Sequence, residues 1–477
     1  MIAGSLLLLL LPLALAGVVY ILLRWETLSA LVATGGAFLL GMAVITLPLD
    51  QPIRLWGRRP ITIAMGETVT ILGRELTVEP SDRIAIAMLF FTAAGIFLVA
   101  WRMSPRSLLF PIGLGLLSLL TGALLIRPVV YAALFIEIAA ALSVFALQSE
   151  NTHSTRGSLR YLTFATLALP GLLVSQWLLE RYVFTPDDTS LLSTAGILTI
   201  LSFALLLGVV PFHTWILSVI GDSLPLAGVF ILTVNNDAIW FLLLDFLEKY
   251  PQMFQQTEAG SVIITAGLIM IIAGGLLATA QRRLGLLIGY AVLVDNGAML
   301  IALGLNSKVG VMLIFLSMLI RPFSLIPLAS GLSGIQTSNA GNDRQQSLRS
   351  VGWRVLWSVA ALVMGSLSIV GFPVSAGFAW RWALYRALVP THIGLVLVLL
   401  GASLAVMSGF WRMIWVLLDR PRSPLNRRVL PIPSAEKGWT VVVLATVILV
   451  CLGIGLMPQT VASLTLDLVE SYTFFMQ

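Results

Sequence analysis

Six ionisable side chains stand where the surrounding sequence is apolar: Glu137, His213, Asp237, Asp295, Arg321 and Arg381. An ionised group at the centre of a membrane-crossing helix costs roughly 2.5–3.5 kcal/mol on insertion scales, so each needs a compensating role. Glu137 closes the run Tyr131-Ala132-Ala133-Leu134-Phe135-Ile136-Glu137, Asp237 follows Asn235 and Asn236, and Asp295 sits beside Asn296. Such groups can neutralise one another and lock helices together. They can also line a hydrated path along which protons step between titratable groups. Five charges spread over successive apolar segments point to the path. For His213 a hydrogen-bonded turn residue and a proton relay fit equally. Arg412, near a segment end, reads as structural, its head reaching the lipid headgroups.

Two interruptions accompany these charges. Pro211 and His213 break an apolar run at Val209-Val210-Pro211-Phe212-His213-Thr214-Trp215. Pro373 breaks a second at Gly371-Phe372-Pro373-Val374-Ser375-Ala376-Gly377-Phe378. A broken helix at membrane depth frees backbone carbonyls that only protein or a water-lined cavity can satisfy. Paired interruptions in two halves of a chain point to an ion site built on a structural repeat.

The elements that must position these residues are membrane helices. The chain is 58% apolar and 10% charged, which excludes the soluble globular classes. Each crossing needs ~20 apolar residues, and about fourteen such segments can be placed. The first, from Ile2 to Leu23, lacks a positively charged leader and exceeds a typical signal-peptide core, so it reads as a retained helix. The expected fold is an all-α polytopic membrane protein with two inverted five-helix repeats and broken seventh and twelfth helices. The expected units are residues 1–107, a first repeat over 108–250, a second over 251–420, and a C-terminal part over 421–477.

Basic residues set the orientation. With the N-terminus outside, Arg24, Arg102, Arg156, Arg282, Arg283, Arg344, Arg349 and the cluster from Arg420 to Lys437 fall inside. Arg127, Arg181, Lys249, Lys308 and Arg386 fall outside, so both termini are expected to be extracytoplasmic. From Ile61 to Pro80, threonines alternate with aliphatic residues around Gly66-Glu67 and Gly73-Arg74, which predicts a small extracytoplasmic β-hairpin. Ser330 to Ser350 reads as a mobile polar connection, and Thr460 to Phe475 as a short interfacial helix.

Several chemistries are excluded. Cys451 is the only cysteine and lies in an apolar run, so this chain supplies no disulfide, iron–sulfur or thiolate metal site. Nucleotide loops, metal-ligand clusters and nucleophile–base pairs are missing, which leaves no cofactor, no bound metal and no redox site to assign. The net charge of +6 comes from basic residues scattered singly or in pairs, a pattern that does not suggest nucleic acid.

The motifs resemble those of antiporter-like membrane subunits shared by respiratory complex I, Mrp-type sodium/proton antiporters and membrane-bound hydrogenases. Pro211-Phe212-His213-Thr214-Trp215 resembles the family's PFHxW element, and Gly371-Phe372-Pro373 through Gly377-Phe378 and Arg381 its GxPxxxGFxxK element. Gln281-Arg282-Arg283-Leu284 with Gly289-Tyr290 and Gly297 resembles a basic turn and the AYSSxxxxG element that follows it. The resemblance covers essentially the whole chain and implies a central charged axis that carries protons. In it Glu137 matches the family's fifth-helix Glu, Arg321 the eleventh-helix Lys, and Arg381 the twelfth-helix Lys or Glu. Leu206 replaces the seventh-helix Lys, Ile231 the eighth-helix His, and Ser317 the eleventh-helix His. Arginine keeps its proton where a desolvated lysine can lose one. An axis with Arg and Leu in these places therefore cannot titrate as the family's does. Either Glu137, His213, Asp237 and Asp295 rewire the path, or the chain is a non-conducting paralogue filling a structural slot. In both cases the expected partners are the lipid bilayer and other membrane subunits of an inner-membrane complex, which would hold any oxidoreductase chemistry. The chain stops soon after the fourteenth span, as do the family's middle-sized members.

Overall fold

The computed structural model describes residues 2–49, 51, 53–55, 61–71, 73–103, 107–148, 155–185, 188–251, 259–419 and 436–459. The predicted interfacial helix at 460–475 lies outside them. Among the described residues, eleven helices are long and apolar enough to cross a membrane. Three shorter apolar helices, Leu109–Leu125, Ala132–Leu147 and Leu356–Val370, lie between them.

Burial sorts the helices into a centre and a rim. Pro225–Lys249 is 100% buried over its apolar window and Leu284–Gly304 94%, against 17% for Gly4–Arg24 and 11% for Gly438–Leu456. Asp237 and Asp295 ride on the two most enclosed helices, and both are buried. Small residues let the central helix Leu284–Gly304 approach its neighbour Ala259–Ala280 closely. A Cβ on Gly267 would come within 2.6 Å of the Gly297 carbonyl oxygen, and one on Gly297 within 2.8 Å of the Gly267 oxygen. Larger side chains would force the Ala259–Ala280 and Leu284–Gly304 helices apart.

Both interruptions are present. Thr189–Leu207 ends at Gly208, whose φ of 66° and ψ of 42° are left-handed, and the helix resumes at Thr214–Gly221. Side chains take up carbonyls at that helix end: Trp215 Nε1 donates to Leu205 O at 3.1 Å and Asn296 Nδ2 to Leu207 O at 3.2 Å. Leu356–Val370 ends at Gly371 (φ 82°) and resumes at Phe378–Leu388. There Ser375 Oγ donates to Phe372 O at 2.6 Å, and Gly377 N–H donates to Ser368 Oγ at 3.0 Å. A third irregularity is a single π-helical turn, Ile231–Asn235, between Pro225–Phe230 and Asn236–Lys249. Thr233 Oγ1 donates to Val229 O at 2.7 Å within this widened turn. π-Turns of this kind collect at functional sites.

The strands expected between Ile61 and Pro80 pair more widely than in a single hairpin. Among the described residues, six short strands form two three-stranded sheets. Ile61–Ala64 pairs parallel with Ile2–Ala3 and antiparallel with Ile53–Leu55. Val69–Ile71 pairs antiparallel with Arg74–Leu76, which in turn pairs with Ile126–Arg127. The stretch between the second and third spans thus divides at Gly66 and serves two sheets, because its edges find partners at the chain start and beside Arg127.

The Ser330–Ser350 segment also differs from expectation. Ser330–Ser338 completes the helix Lys308–Ser338. The remainder is tied down through Asp343, whose carboxylate accepts from Gly285 N–H at 3.0 Å and from Arg283 Nε at 3.2 Å. Arg283 reaches on to Gly221 O at 2.6 Å, joining the restart of the first broken helix to the start of Leu284–Gly304. Polar composition here satisfies buried backbone groups and does not signal mobility. Asp343→Ala should therefore lower stability by roughly 1–3 kcal/mol, the cost of stranding such groups. The check is thermal melting combined with limited proteolysis, which should become faster at residues 339–350.

Candidate functional site

Leu284–Gly304, Lys308–Ser338 and the restarted helix Phe378–Leu388 each contribute one charge to a single buried cluster. Arg381 Nη2 donates to Asp295 Oδ1 at 3.1 Å, and Arg321 Nε lies 3.7 Å from Asp295 Oδ2. Side-chain exposure is 1% for both arginines and 4% for Asp295. Ion pairs this deep are screened little by salt. Arg321 Nη2 also donates to Asn296 Oδ1 at 2.6 Å, while the Arg381 guanidinium lies 4.6 Å from the Trp380 ring centroid. Gly371 makes room for Arg381, since a Cβ there would come within 2.7 Å of the arginine's own Cβ. The second break therefore aims Arg381 at Asp295.

Asp237 joins the cluster from Asn236–Lys249, in the first turn after the π-turn. It is buried and interacts electrostatically with Arg321 and Asp295. Its Oδ1 is buried without a hydrogen-bond partner among the described residues, as are both amide atoms of Asn236 and the Ser317 hydroxyl. Two aspartates and two arginines sum to zero formal charge. The guanidiniums stay protonated at any accessible pH, so the groups able to take up and release a proton here are carboxyls. Asp295 is clamped by two cations, whereas Asp237 keeps one oxygen free.

Glu137 and His213 lie apart from this cluster. Glu137 is half-buried on Ala132–Leu147, where Thr166 Oγ1 donates to its Oε1 at 2.6 Å. His213 is half-buried in the first break, with Nδ1 lacking a hydrogen-bond partner. Leu206, Ile231 and Ser317 are all buried. Of the six residues picked out in the sequence, the structure brings Asp295, Arg321 and Arg381 into contact and Asp237 within electrostatic reach.

Asn296 was passed over in the sequence reading except as a neighbour of Asp295. One amide serves both halves of the molecule: Oδ1 accepts from Arg321 and Nδ2 donates to the last carbonyl of the first broken helix. Tyr161 carries no charge to mark it in the sequence, yet its hydroxyl accepts from Asn235 Nδ2 at 3.1 Å. An amide adjoining a buried acid, and a lone phenol at a helix entrance, are the signals that could have marked them.

Comparison with known proteins agrees with this architecture. Residues 129–408 match the family model described as NADH:quinone oxidoreductase/Mrp antiporter, transmembrane. The NADH-quinone oxidoreductase subunit N of Chromohalobacter salexigens is 25% identical over 246 residues, covering 51% of each chain. The chain thus spans about half the length of that curated relative. Among solved structures, a chain of the archaeal membrane-bound sulfane sulfur reductase superposes with a TM-score of 0.78 at 17% identity, covering 98% of this chain and 97% of that one. A chain of the Mrp complex from a Dietzia species gives 0.75 at 15% identity, covering 99% and 97%.

Proposed function

This chain belongs to the NADH:quinone oxidoreductase/Mrp antiporter transmembrane family, and from that premise we propose that it is an antiporter-like subunit moving protons, or a cation, within a redox-driven or Mrp-like complex. The observation that carries the reading is Asp237, a buried carboxylate with one free oxygen beside an aspartate already held by two arginines. Protonating Asp237 leaves two guanidiniums facing a single carboxylate. The cluster then carries one excess positive charge in a medium of low dielectric, which favours passing the proton onward. The free amide atoms of Asn236 and the Ser317 hydroxyl are polar anchors for the water such a step requires.

The accompanying architecture is fourteen crossings, counting the three shorter helices, with inverted repeats over 108–250 and 251–420. Both termini and the two small sheets lie on the extracytoplasmic side of an inner membrane. Glu137 sits at a half-buried edge between Leu134 and Ile138, which are 45% and 55% exposed. A carboxylate at such an edge needs cover from lipid, which a neighbouring membrane subunit would supply.

One observation favours the alternative, a non-conducting structural subunit: Leu206 is buried in an apolar setting where the family carries lysine. Two measurements follow: the first identifies the complex, and the second separates conduction from a structural role. Affinity purification from native membranes should bring down a redox arm or a set of small antiporter subunits. In vesicles carrying that complex, Leu206→Lys should alter proton or sodium flux if the remaining groups conduct. Flux absent from the parent complex and unmoved by Leu206→Lys would establish the structural role instead.

A further inference from the structure

Leu206 puts a buried apolar side chain where the family carries lysine. Its neighbours Phe203, Leu205 and Leu207 are buried and apolar, and the Leu207 carbonyl is already taken by Asn296. The helix Arg156–Phe184 makes polar contacts both with Glu137 and with Asn235, two residues before Asp237. Thr166 on that helix donates to Glu137 at 2.6 Å. Tyr161, on the same helix and enclosed, accepts from Asn235 Nδ2 at 3.1 Å. The Tyr161 ring packs 5.0 Å from Trp215, which is itself fastened to Leu205 O, so the phenol is held beside the first break.

We propose that Tyr161 and Asn235 carry the connection between Glu137 and Asp237 and so bypass position 206; this rests on the translocating reading above. The π-turn makes the crossing possible. It presents Asn235 to the Tyr161 helix and sets Asp237 two residues further on. A phenol oxygen has two lone pairs and one proton to give. Asn235 occupies one lone pair, which leaves the other lone pair and the O–H as an acceptor and a donor in series. A proton arrives on the free lone pair as the hydroxyl proton departs, so Tyr161 ends each passage unchanged. One proton leaves the Glu137 carboxyl and one is taken up by the Asp237 carboxylate, or the reverse, and charge is conserved. Asn235 is a positioning residue, because an amide orients this chain without itself titrating. Water bound to its unpartnered Oδ1 and to Asn236 would complete the link.

The test is proton flux in proteoliposomes bearing the assembled complex, read with an entrapped pH dye. Four variants are compared with the parent: Tyr161→Phe, Asn235→Leu, Leu206→Ile and, as reference, Asp237→Asn. Tyr161→Phe keeps the ring on Trp215 and removes only the hydroxyl. Flux should fall roughly tenfold in it, the effect of one hydrogen bond lost from a rate-limiting transfer. Asn235→Leu should behave alike, and Leu206→Ile should match the parent. The solvent deuterium isotope effect on flux should also change in Tyr161→Phe, which a packing defect would leave alone. Parental flux in Tyr161→Phe and Asn235→Leu, with flux lost in Asp237→Asn, would overturn the bypass while leaving the translocating reading intact. Parental flux in all four would overturn both.

Discussion

Asp295→Asn should destabilise the protein by roughly 3–5 kcal/mol, the cost of removing one partner from a buried ion pair. Both arginines that meet Asp295 are 1% exposed, so neither can swing into water when the carboxylate is gone. Asparagine keeps the shape and one acceptor oxygen, which makes the loss electrostatic and not steric. Arg321 retains Asn296 and the electrostatic attraction of Asp237, whereas Arg381 loses its only ion-pair partner among the described residues. The excess charge thus resides mainly on Arg381, and Asp295→Asn combined with Arg381→Met should regain much of the lost stability. Thermal unfolding in lipid nanodiscs, followed by tryptophan fluorescence, gives both values. Equal melting of the single variant and the parent would mean that the cluster does not hold these helices together.

Gly377→Ala should be nearly as damaging for a different reason. The φ of Gly377 is an ordinary −65°, so alanine brings no backbone strain of its own. Its Cβ would instead overlap the Ser368 carbonyl oxygen and come within 2.7 Å of the carbonyl carbon. Backbone cannot rotate away as a side chain can, which puts the penalty at or above the roughly 1–3 kcal/mol typical of overpacking. Arg381 N–H donates to Gly377 O at 3.3 Å, so any shift that relieves the overlap also moves Arg381 away from Asp295. Gly394 has no atom within 4 Å of a built Cβ, and Gly394→Ala is the control. Monodisperse yield after solubilisation should drop for Gly377→Ala and hold for Gly394→Ala. Equal yields would show that the second break has slack.

The buried charges and the two breaks were legible because both are rare against an apolar background. Asp237, Asp295, Arg321 and Arg381 each stood out for the same reason: an ionisable group cannot enter lipid without a partner. Their pairing was not legible, since Asp295 and Arg381 lie 86 residues apart and meet only when Gly371 turns the chain. Facing was lost as well. In a helix apolar all round, such as Ala132–Leu147, periodicity does not separate the lipid side from the protein side. Glu137 therefore read as central when it is half-buried at an edge. The segment Ser330–Ser350 misled through composition, because Asp343 spends its polarity on Gly285 and Arg283 and not on solvent. The π-turn left no mark beyond the polar trio Asn235, Asn236 and Asp237.

Proton entry into vesicles bearing the complex, measured for Asp237→Asn beside the parent with subunit composition verified for both, bears most directly on whether this buried carboxyl carries protons. Asparagine preserves size and removes only the titration, so flux should drop by roughly two orders of magnitude, as when a proton-transfer group is lost. Undiminished flux through an intact Asp237→Asn complex would contradict a proton-carrying role for the cluster and leave it as a clamp between helices.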